Sequence, residues 1–148
     1  MNASGISQRL IAFASALFGW VRGGLAHVSI GASLFFAEIS GSAVADVAAL
    51  GSILIPGMKS KGYPAPFAAA VMSSAATLAV IIPPSIPMVI YAMVSGASVG
   101  ALFLGGVVPG LLMAVVLMIA VQIIATKRKM PRDERVPLRD YPQILWRG

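Results

Sequence analysis

The sequence predicts an all-α integral membrane protein, and three observations lead to that fold class. Hydrophobic residues make up 58% of the 148 residues and charged residues only 11%, well below the roughly 25% of an average soluble domain. Residues 62–126 contain no charged side chain, and at about 20 residues per crossing this stretch holds two spans or more. The basic residues lie in separate groups between the apolar stretches, as they do in multi-pass membrane proteins.

The net charge of +6 is concentrated in three groups. These are Arg9 with Arg22, Lys59 with Lys61, and a cluster of seven Lys and Arg residues within residues 127–147. The positive-inside rule predicts that all three groups face the cytoplasm. A basic protein could also bind nucleic acid, but that function needs a soluble scaffold with a basic face. We therefore expect no nucleic-acid partner and a multi-pass membrane protein.

Residues 1–22 are predicted to form an interfacial amphipathic helix. An arginine before a short apolar run superficially suits a signal peptide, but no small-x-small cleavage site precedes a polar mature region. Apolar side chains instead share one helical stripe, and Trp20 suits headgroup depth. The stripe consists of Leu10, Ile11, Phe13, Ala14, Leu17, Phe18 and Val21.

Residues 23–58 are predicted to form a re-entrant helical hairpin. They are too many for one crossing and too few for two, and basic residues flank both ends. The simplest solution has one arm at residues 24–39, a tip at Ser40, Gly41 and Ser42, and a second arm at residues 43–56. An arm of about 14 residues reaches roughly 21 Å into a hydrocarbon core about 30 Å thick. A non-helical tip at that depth is tolerated only inside protein or beside a watery cavity.

Two carboxylates accompany the predicted tip, in the run "FFAEISGSAVADVAALG" at residues 35–51. Ser42 can cap the second arm, and Asp46 lies in its first turn, where the helix dipole favours a carboxylate. Asp46 is either a capping and packing acid or part of a cation pathway. Glu38 has the same two interpretations. We assign both residues a supporting role beside the site.

Residues 64–95 are predicted to form a discontinuous transmembrane helix. The run "IIPPSIP" at residues 81–87 contains three prolines in five residues, which excludes a continuous helix. A break at depth exposes carbonyl groups of the first half and directs the amino end of the second half at the same cavity. The alternative is a surface loop between two short helices, although no charge flanks the break.

A further transmembrane helix is predicted at residues 100–126, with Pro109 as a kink, followed by a basic cytoplasmic linker at residues 127–148. The chain has no cysteine and a single histidine, His27, so we expect no thiolate or histidine-based metal site and no cofactor. His27 is predicted at the start of the hairpin, too far from the tip serines for a hydrolytic pair. No phosphate-binding loop occurs, and we expect the protein not to be an enzyme.

Several motifs then resemble a known family. The runs "ISGSAVADVAALGSILIPGMKSKGY", "FAAAV", "IIPPSIPMVIYA" and "SVGALFLGGVVPGLLM" are similar to the large membrane subunit of tripartite ATP-independent periplasmic (TRAP) transporters. The similarity covers nearly the whole chain. It implies a secondary transporter that couples sodium to the symport of organic acids such as dicarboxylates. It also implies a periplasmic substrate-binding protein and a small membrane subunit as partners, besides the lipid bilayer.

The resemblance further implies an elevator fold of two inverted repeats, each with a re-entrant hairpin and a broken helix. Sodium is then expected between the hairpin tip and the facing break. The expected sodium-binding residues are Ser40, Gly41, Ser42, Thr77, Ile82, Pro83, Pro84 and Ser85.

Three departures from the family pattern qualify this expectation. Glu38 stands where the family more often has glycine, and Ala75 and Ala76 stand where it commonly has serines. The family's subunit is also several times longer, so this chain is expected to hold one repeat and half of a site. We expect it not to transport unless another chain supplies the second repeat. The alternative is a truncated, non-transporting membrane protein that keeps the motifs only for packing.

Overall fold

A helical hairpin, an interrupted helix and a long final helix make up the part of the chain that the computed structural model describes, residues 23–130. The helices in this part are α1 Gly24–Ser40, α2 Ala43–Ser60, α3 Ala65–Ala76, α4 Leu78–Ile81, α5 Ile86–Ser95 and α6 Val99–Lys127. Residues 23–130 contain no strand, so the prediction of an all-α fold is confirmed for them. The helix predicted at residues 1–22 and most of the predicted basic linker lie outside the described residues.

Within residues 23–130, three helical segments are long and apolar enough to cross a membrane: Ala43–Ser60, Ala65–Ser95 and Val99–Lys127. The second of these consists of α3, α4 and α5 with the interruptions between them. Helix α1, with 17 residues, is slightly shorter than a full span. Length and composition therefore make the protein an integral membrane protein.

Helix α1 lies at the centre of the described structure. Every residue from 26 to 33 is buried, and α1 packs against α2, α3, α4 and α6. Most side chains in this stretch are small, which lets neighbouring backbones approach closely, as membrane helices need. The small residues are Ala26, Ser29, Gly31, Ala32 and Ser33.

His27 joins the start of α1 to α6. Its side chain is buried, with Nδ1 3.1 Å from the carbonyl oxygen of Gly23 and Nε2 3.2 Å from that of Met118. A neutral imidazole donates a hydrogen bond to one of these carbonyl groups, whereas an imidazolium donates to both. The carbonyl of Met118 lies 91 residues along the chain, so His27 makes a tertiary contact.

Helix α2 continues beyond the end that we predicted for the second arm. We placed that end at Pro56, but α2 runs through Pro56 to Ser60 and includes Lys59. Pro56 is exposed, so its ring displaces no side chain of another helix, although it removes one backbone hydrogen bond and crowds the carbonyl four residues earlier. The turn to α3 follows at residues 61–64, where Gly62 takes a φ of 86°.

Helix α6 is long and largely unenclosed. Its 29 residues include Pro109, and Ser98 caps its start by accepting a hydrogen bond from the backbone N–H of Ala101 at 3.4 Å. Its buried residues recur at intervals of four or seven and therefore share one face, which packs against α1, α3, α4 and α5. These residues are Gly106, Gly110, Ala114, Val121 and Ala125.

Candidate functional site where the hairpin tip meets the helix break

The tip of the hairpin is a two-residue connection between α1 and α2. Gly41 ends α1 in the left-handed conformation, with φ 58°, and its N–H donates to the carbonyl of Ala37 at 3.0 Å. Ser42 is extended and caps α2, accepting a hydrogen bond on its hydroxyl oxygen from the N–H of Ala45 at 3.5 Å. The predicted capping role of Ser42 is confirmed. The Ser-Gly-Ser sequence thus provides one helix end and one helix start in three residues.

Asp46 lies beneath this tip, on the first turn of α2, and its side chain is completely buried. The hydroxyl of Ser40 donates a hydrogen bond to Oδ1 of Asp46. The other carboxylate oxygen, Oδ2, has no hydrogen-bond partner among the described residues. A buried polar atom without a partner is costly unless something completes it, such as a water molecule or an ion.

The break in the second apolar segment extends over residues 82–85. Ile82 and Ser85 are both extended, between the end of α4 and the start of α5, and the Pro83–Pro84 peptide bond is cis. Ser85 is buried, and its hydroxyl donates to the carbonyl of Val80 at 2.6 Å. This hydrogen bond satisfies a carbonyl group that the interrupted helix leaves without a backbone partner.

The tip and the break are in direct contact. The backbone N–H of Ile86, the first residue of α5, donates to the carbonyl of Gly41 at 3.3 Å. A Cβ atom added to Gly41 would lie 2.8 Å from the carbonyl oxygen of Pro84. Two interruptions of helical structure therefore meet, and a glycine at the meeting point is required both by its positive φ and by the close approach.

The break departs in two respects from the sequence-based expectation. We expected the amino end of the second half-helix to be open to a cavity, but the N–H of Ile86 is bonded to Gly41. The segment is also interrupted earlier, because α3 ends at Ala76 and Thr77 separates it from α4. A serine or threonine hydroxyl that bonds back along its own helix commonly bends that helix, and the hydroxyl of Thr77 donates to the carbonyl of Ser74 at 2.7 Å.

Some of the predicted site residues lie at the contact between tip and break, and others are exposed away from it. Gly41 and Pro84 touch, and Ser40 and Ser85 are bonded within the tip and within the break respectively. Thr77 and Glu38 are both exposed. The hydroxyl of Thr77 is directed along its own helix, and Glu38 lies on the outer side of the last turn of α1.

Sequence reasoning did not identify the face of α6 that packs against the break. A Cβ atom on Gly106 would lie 2.5 Å from the carbonyl oxygen of Ile81, and one on Gly110 would lie 2.5 Å from Cγ1 of Ile82. The two glycines are spaced as Gly106-x-x-x-Gly110, the pattern that allows close helix packing in membranes. That spacing was the signal that could have revealed this contact.

The oxygen atoms at this meeting point are hard donors of the kind that suit alkali cations. They are the carboxylate of Asp46, the serine hydroxyls and the backbone carbonyl groups of the two interruptions. Within residues 23–130, no group of three or more His, Cys, Asp or Glu side chains could hold a metal ion. The arrangement thus suits a cation that accepts neutral oxygen ligands, rather than a transition metal.

Comparison with known proteins agrees with this architecture. The family model described as "Tripartite ATP-independent periplasmic transporter, DctM component" matches residues 1–148. The chain belongs to this family. Because the family consists of transporter permeases, the chain is not an enzyme, and it is an integral protein of the bacterial inner membrane.

Curated TRAP relatives differ in the compound that they are named for. The C4-dicarboxylate TRAP transporter large permease of Pseudomonas aeruginosa is 49% identical over 141 residues, which is 95% of this chain and 33% of that protein. The sialic acid TRAP transporter large permease of Vibrio cholerae is 44% identical over 128 residues, 86% of this chain and 30% of that protein. The 2,3-diketo-L-gulonate TRAP transporter large permease of Escherichia coli is 39% identical over 140 residues, 95% of this chain and 33% of that protein. The chain thus spans about a third of the length of these relatives.

Proposed function

We propose that this chain is the part of a TRAP large permease that binds the coupling ion, sodium, where the hairpin tip meets the helix break. The cargo is an organic acid, delivered by a periplasmic binding protein, and a small membrane subunit packs beside the permease. Membership of the TRAP family and the acids for which its relatives are named support this proposal. The observation that carries it is the buried Oδ2 of Asp46, which has no hydrogen-bond partner among the described residues. The same carboxylate is bonded to Ser40, the residue before Gly41, whose carbonyl accepts from Ile86.

Asp46 takes a larger role in this proposal than the supporting one expected from the sequence. Asp46 has one oxygen bonded to Ser40 and the other without a partner among the described residues, so a cation nearby would stabilise its buried carboxylate. Sodium between the two interruptions would supply that charge. The neutral ligands are then oxygen atoms of Ser40, Gly41, Ser42 and Ser85 and the carbonyl groups of Ile82, Pro83 and Pro84.

Thr77 and Glu38 are less central in the same scheme. Thr77 lies four residues before the end of α4, and its hydroxyl already donates to the carbonyl of Ser74. Its oxygen nevertheless keeps lone pairs for a cation. Glu38 is exposed at the outer side of the tip. We therefore assign Thr77 a secondary role and Glu38 none in binding sodium directly.

A re-entrant hairpin is part of the proposal. The start of α1 lies beside the end of α2, because a Cβ atom on Gly57 would be 3.7 Å from Cδ2 of Leu25. The tip contacts Pro84 and Ile86, and the apolar segment continues beyond that contact through the 10 residues of α5, about 15 Å of helix. The tip then lies inside the membrane rather than at its far surface, although α2 is long enough to cross.

Single cysteines test this topology, because the natural chain has none. We expect a membrane-impermeant maleimide added outside intact cells to label Ala97→Cys, beyond α5, and to leave Ser60→Cys, at the end of α2, unlabelled. Val44→Cys, at the tip, should react much more slowly than Ala97→Cys. Equal labelling of positions 44 and 97 would show that α2 crosses the membrane completely.

Sodium-dependent stabilisation tests the ion site on the purified chain. A ligand that binds only the folded protein raises the midpoint of thermal denaturation as its concentration rises above Kd. We expect sodium chloride to raise this midpoint more than potassium or choline chloride does, and Asp46→Asn to abolish the difference. Glu38→Gln is the matched control and should keep it. Equal effects of the three salts, or a full sodium effect in Asp46→Asn, would contradict the proposed site and favour motifs that serve only packing.

Uptake tests the function of the assembled transporter. Vesicles that contain the chain with its second repeat, small subunit and binding protein should take up the organic acid only with a sodium gradient. Ser42→Ala should reduce that uptake, because it removes both a cap and a proposed ligand. Sodium-driven uptake by this chain alone would overturn the assignment of half a site to it.

A further inference from the structure

An apolar cleft lies between α3 and α6, away from the tip and the break. Its volume is about 150 Å³. Ile30 of α1 and Val71 of α3 form its buried floor, and exposed residues border its opening on both sides. The bordering residues are Ala70 and Ser74 on α3, and Ala120 and Ile124 on α6.

The two helices that line the cleft, α3 and α6, run antiparallel to each other. Its lining on α3 begins at Phe67, seven residues before Ser74, so its length is about 10 Å. Three of the four α3 and α6 residues at its opening are alanine or serine and are too small to close it. An unfilled apolar space loses dispersion contacts, and a hydrocarbon chain from the surrounding bilayer has the right polarity and width to restore them.

A positive charge stands at one end of this cleft. The lining residues Leu117, Val121 and Ile124 are spaced by four and three, so they form one stripe on α6, and the next position of that stripe is Arg128. Lys127 and Lys129 flank Arg128, and all three residues are exposed. An arginine can bind a phosphate group with two parallel hydrogen bonds.

No carboxylate of the described residues lies near these cations. The two carboxylates within residues 23–130 are Glu38 and Asp46, both at the hairpin tip. The cations lie at the opposite end of α1, since a Cβ atom on Gly23 would touch Cβ of Ala125. Among the described residues, the apolar cleft therefore ends in a group of cations with no carboxylate beside it.

We propose that this cleft binds one anionic phospholipid of the bilayer. One acyl chain fills the space between α3 and α6, and the phosphate group binds Arg128 and Lys127. Basic residues at the cytoplasmic ends of membrane helices are the usual binding partners of anionic headgroups. The bound lipid would hold α3 and α6 together at a place where their own side chains leave a gap.

Lipid retention by the purified full chain, measured by native mass spectrometry, tests this proposal. The probes are dioleoyl phosphatidylglycerol and dioleoyl phosphatidylcholine, which share acyl chains and differ in net charge. Because each basic residue near a membrane surface strengthens anionic lipid binding severalfold, we expect roughly tenfold to thirtyfold preference for phosphatidylglycerol. Equal retention of the two lipids would overturn the proposal.

Substitutions separate the headgroup from the acyl chain. The double variant Lys127→Gln with Arg128→Gln should lose the preference, whereas Lys59→Gln, on α2 and outside the cleft lining, should keep it. Ala120→Leu should reduce retention of both lipids by filling the cleft, and Ala101→Leu, exposed on the same helix, should not. A loss in Lys59→Gln as large as in the double variant would indicate attraction by charge alone and contradict a defined site.

Two further outcomes would indicate that something other than a phospholipid occupies this site. Binding of free glycerol 3-phosphate as tightly as phosphatidylglycerol would indicate a phosphate site that needs no acyl chain. Unchanged lipid retention in Ala120→Leu would indicate that the cleft is filled by protein and not by lipid. Either result would overturn the proposal.

Discussion

The interrupted segment Ala65–Ser95 and helix α6 are apolar stretches of similar length, 31 and 29 residues, and both contain proline. Only the first is broken. In its most apolar 18-residue stretch 50% is buried within the described chain, whereas the corresponding share in α6 is 17%. Backbone groups that lose helical partners find none in lipid, so a break is tolerated only where protein or water replaces them.

In the interrupted segment, two of the freed backbone groups find such partners. Gly41 accepts from the N–H of Ile86, and the carbonyl of Val80 accepts from the hydroxyl of Ser85. In α6, Pro109 is exposed and the helix continues through it. A proline thus marks where a helix can break, and the surroundings decide whether it does.

The largest effect is expected at the tip, from Gly41→Ala. A side chain at positive φ costs about 1–2 kcal/mol, and the clash with the carbonyl of Pro84 adds about 1–3 kcal/mol of overpacking. Gly96→Ala is the matched control, because Gly96 also ends a helix, at φ 72°, with no atom within 4 Å of an added Cβ. The midpoint of thermal denaturation in detergent should fall much more for Gly41→Ala. Equal losses would show that the tip does not press against the break.

The contact between α6 and the break can be tested with two adjacent glycines. Gly106→Ala places a Cβ atom 2.5 Å from the carbonyl oxygen of Ile81 and 2.7 Å from Cε of Met88, and should destabilise the protein by about 1–3 kcal/mol. Gly105→Ala meets no atom within 4 Å and should be neutral or stabilising by up to about 1 kcal/mol, because alanine favours helix. Denaturation by sodium dodecyl sulfate in mixed micelles measures both free energies. Equal changes in the free energy of unfolding at the two positions would contradict the packing of α6 against the break.

A smaller effect is expected from Ser85→Ala, which leaves the carbonyl of Val80 without its hydrogen bond. A buried acceptor without a partner costs about 1–3 kcal/mol, and the cost should fall at the lower end because water can enter a proposed ion site. Ser95→Ala removes a similar hydrogen bond, 2.7 Å to Tyr91, from an exposed serine and should change stability by less than about 0.5 kcal/mol. The same thermal assay compares them. A neutral Ser85→Ala would mean that the Val80 carbonyl is satisfied in another way.

The smallest effect is expected from Pro109→Ala. An interior proline costs a soluble helix about 3 kcal/mol, but α6 continues through Pro109, whose ring is exposed. We therefore expect stabilisation below about 1 kcal/mol, measured in the same mixed micelles. A gain near 3 kcal/mol would mean that α6 is strained in the way that the interrupted segment avoids.

Local chemistry made several elements predictable. Pro83, Pro84 and Pro87 lack the N–H that a helix needs, so the position of the break follows from the sequence. Ser42 was recognisable as a cap because its residue type and its place before an apolar run are local features. The length of each apolar stretch likewise follows from the thickness of a bilayer.

Other features depended on contacts between distant parts of the chain. Pattern alone did not reveal that helix α2 would pass through Pro56, or that Thr77 would add a second interruption. Both outcomes depend on how the backbone near each residue is bonded and packed. The packing of Gly106 against Ile81 similarly joins residues that are far apart in sequence.

The sequence by itself determined that this protein is a membrane protein, that helices are interrupted at the Ser-Gly-Ser tip and at the proline run, and which oxygen-bearing residues lie at these two interruptions. Only the tertiary structure decided that the two interruptions touch through Gly41 and Ile86, and that one buried oxygen of Asp46 finds no partner within residues 23–130. The physical reason is that helix ends are governed by residues within one turn. The partner of a freed backbone group is governed by whichever distant segment packs against it.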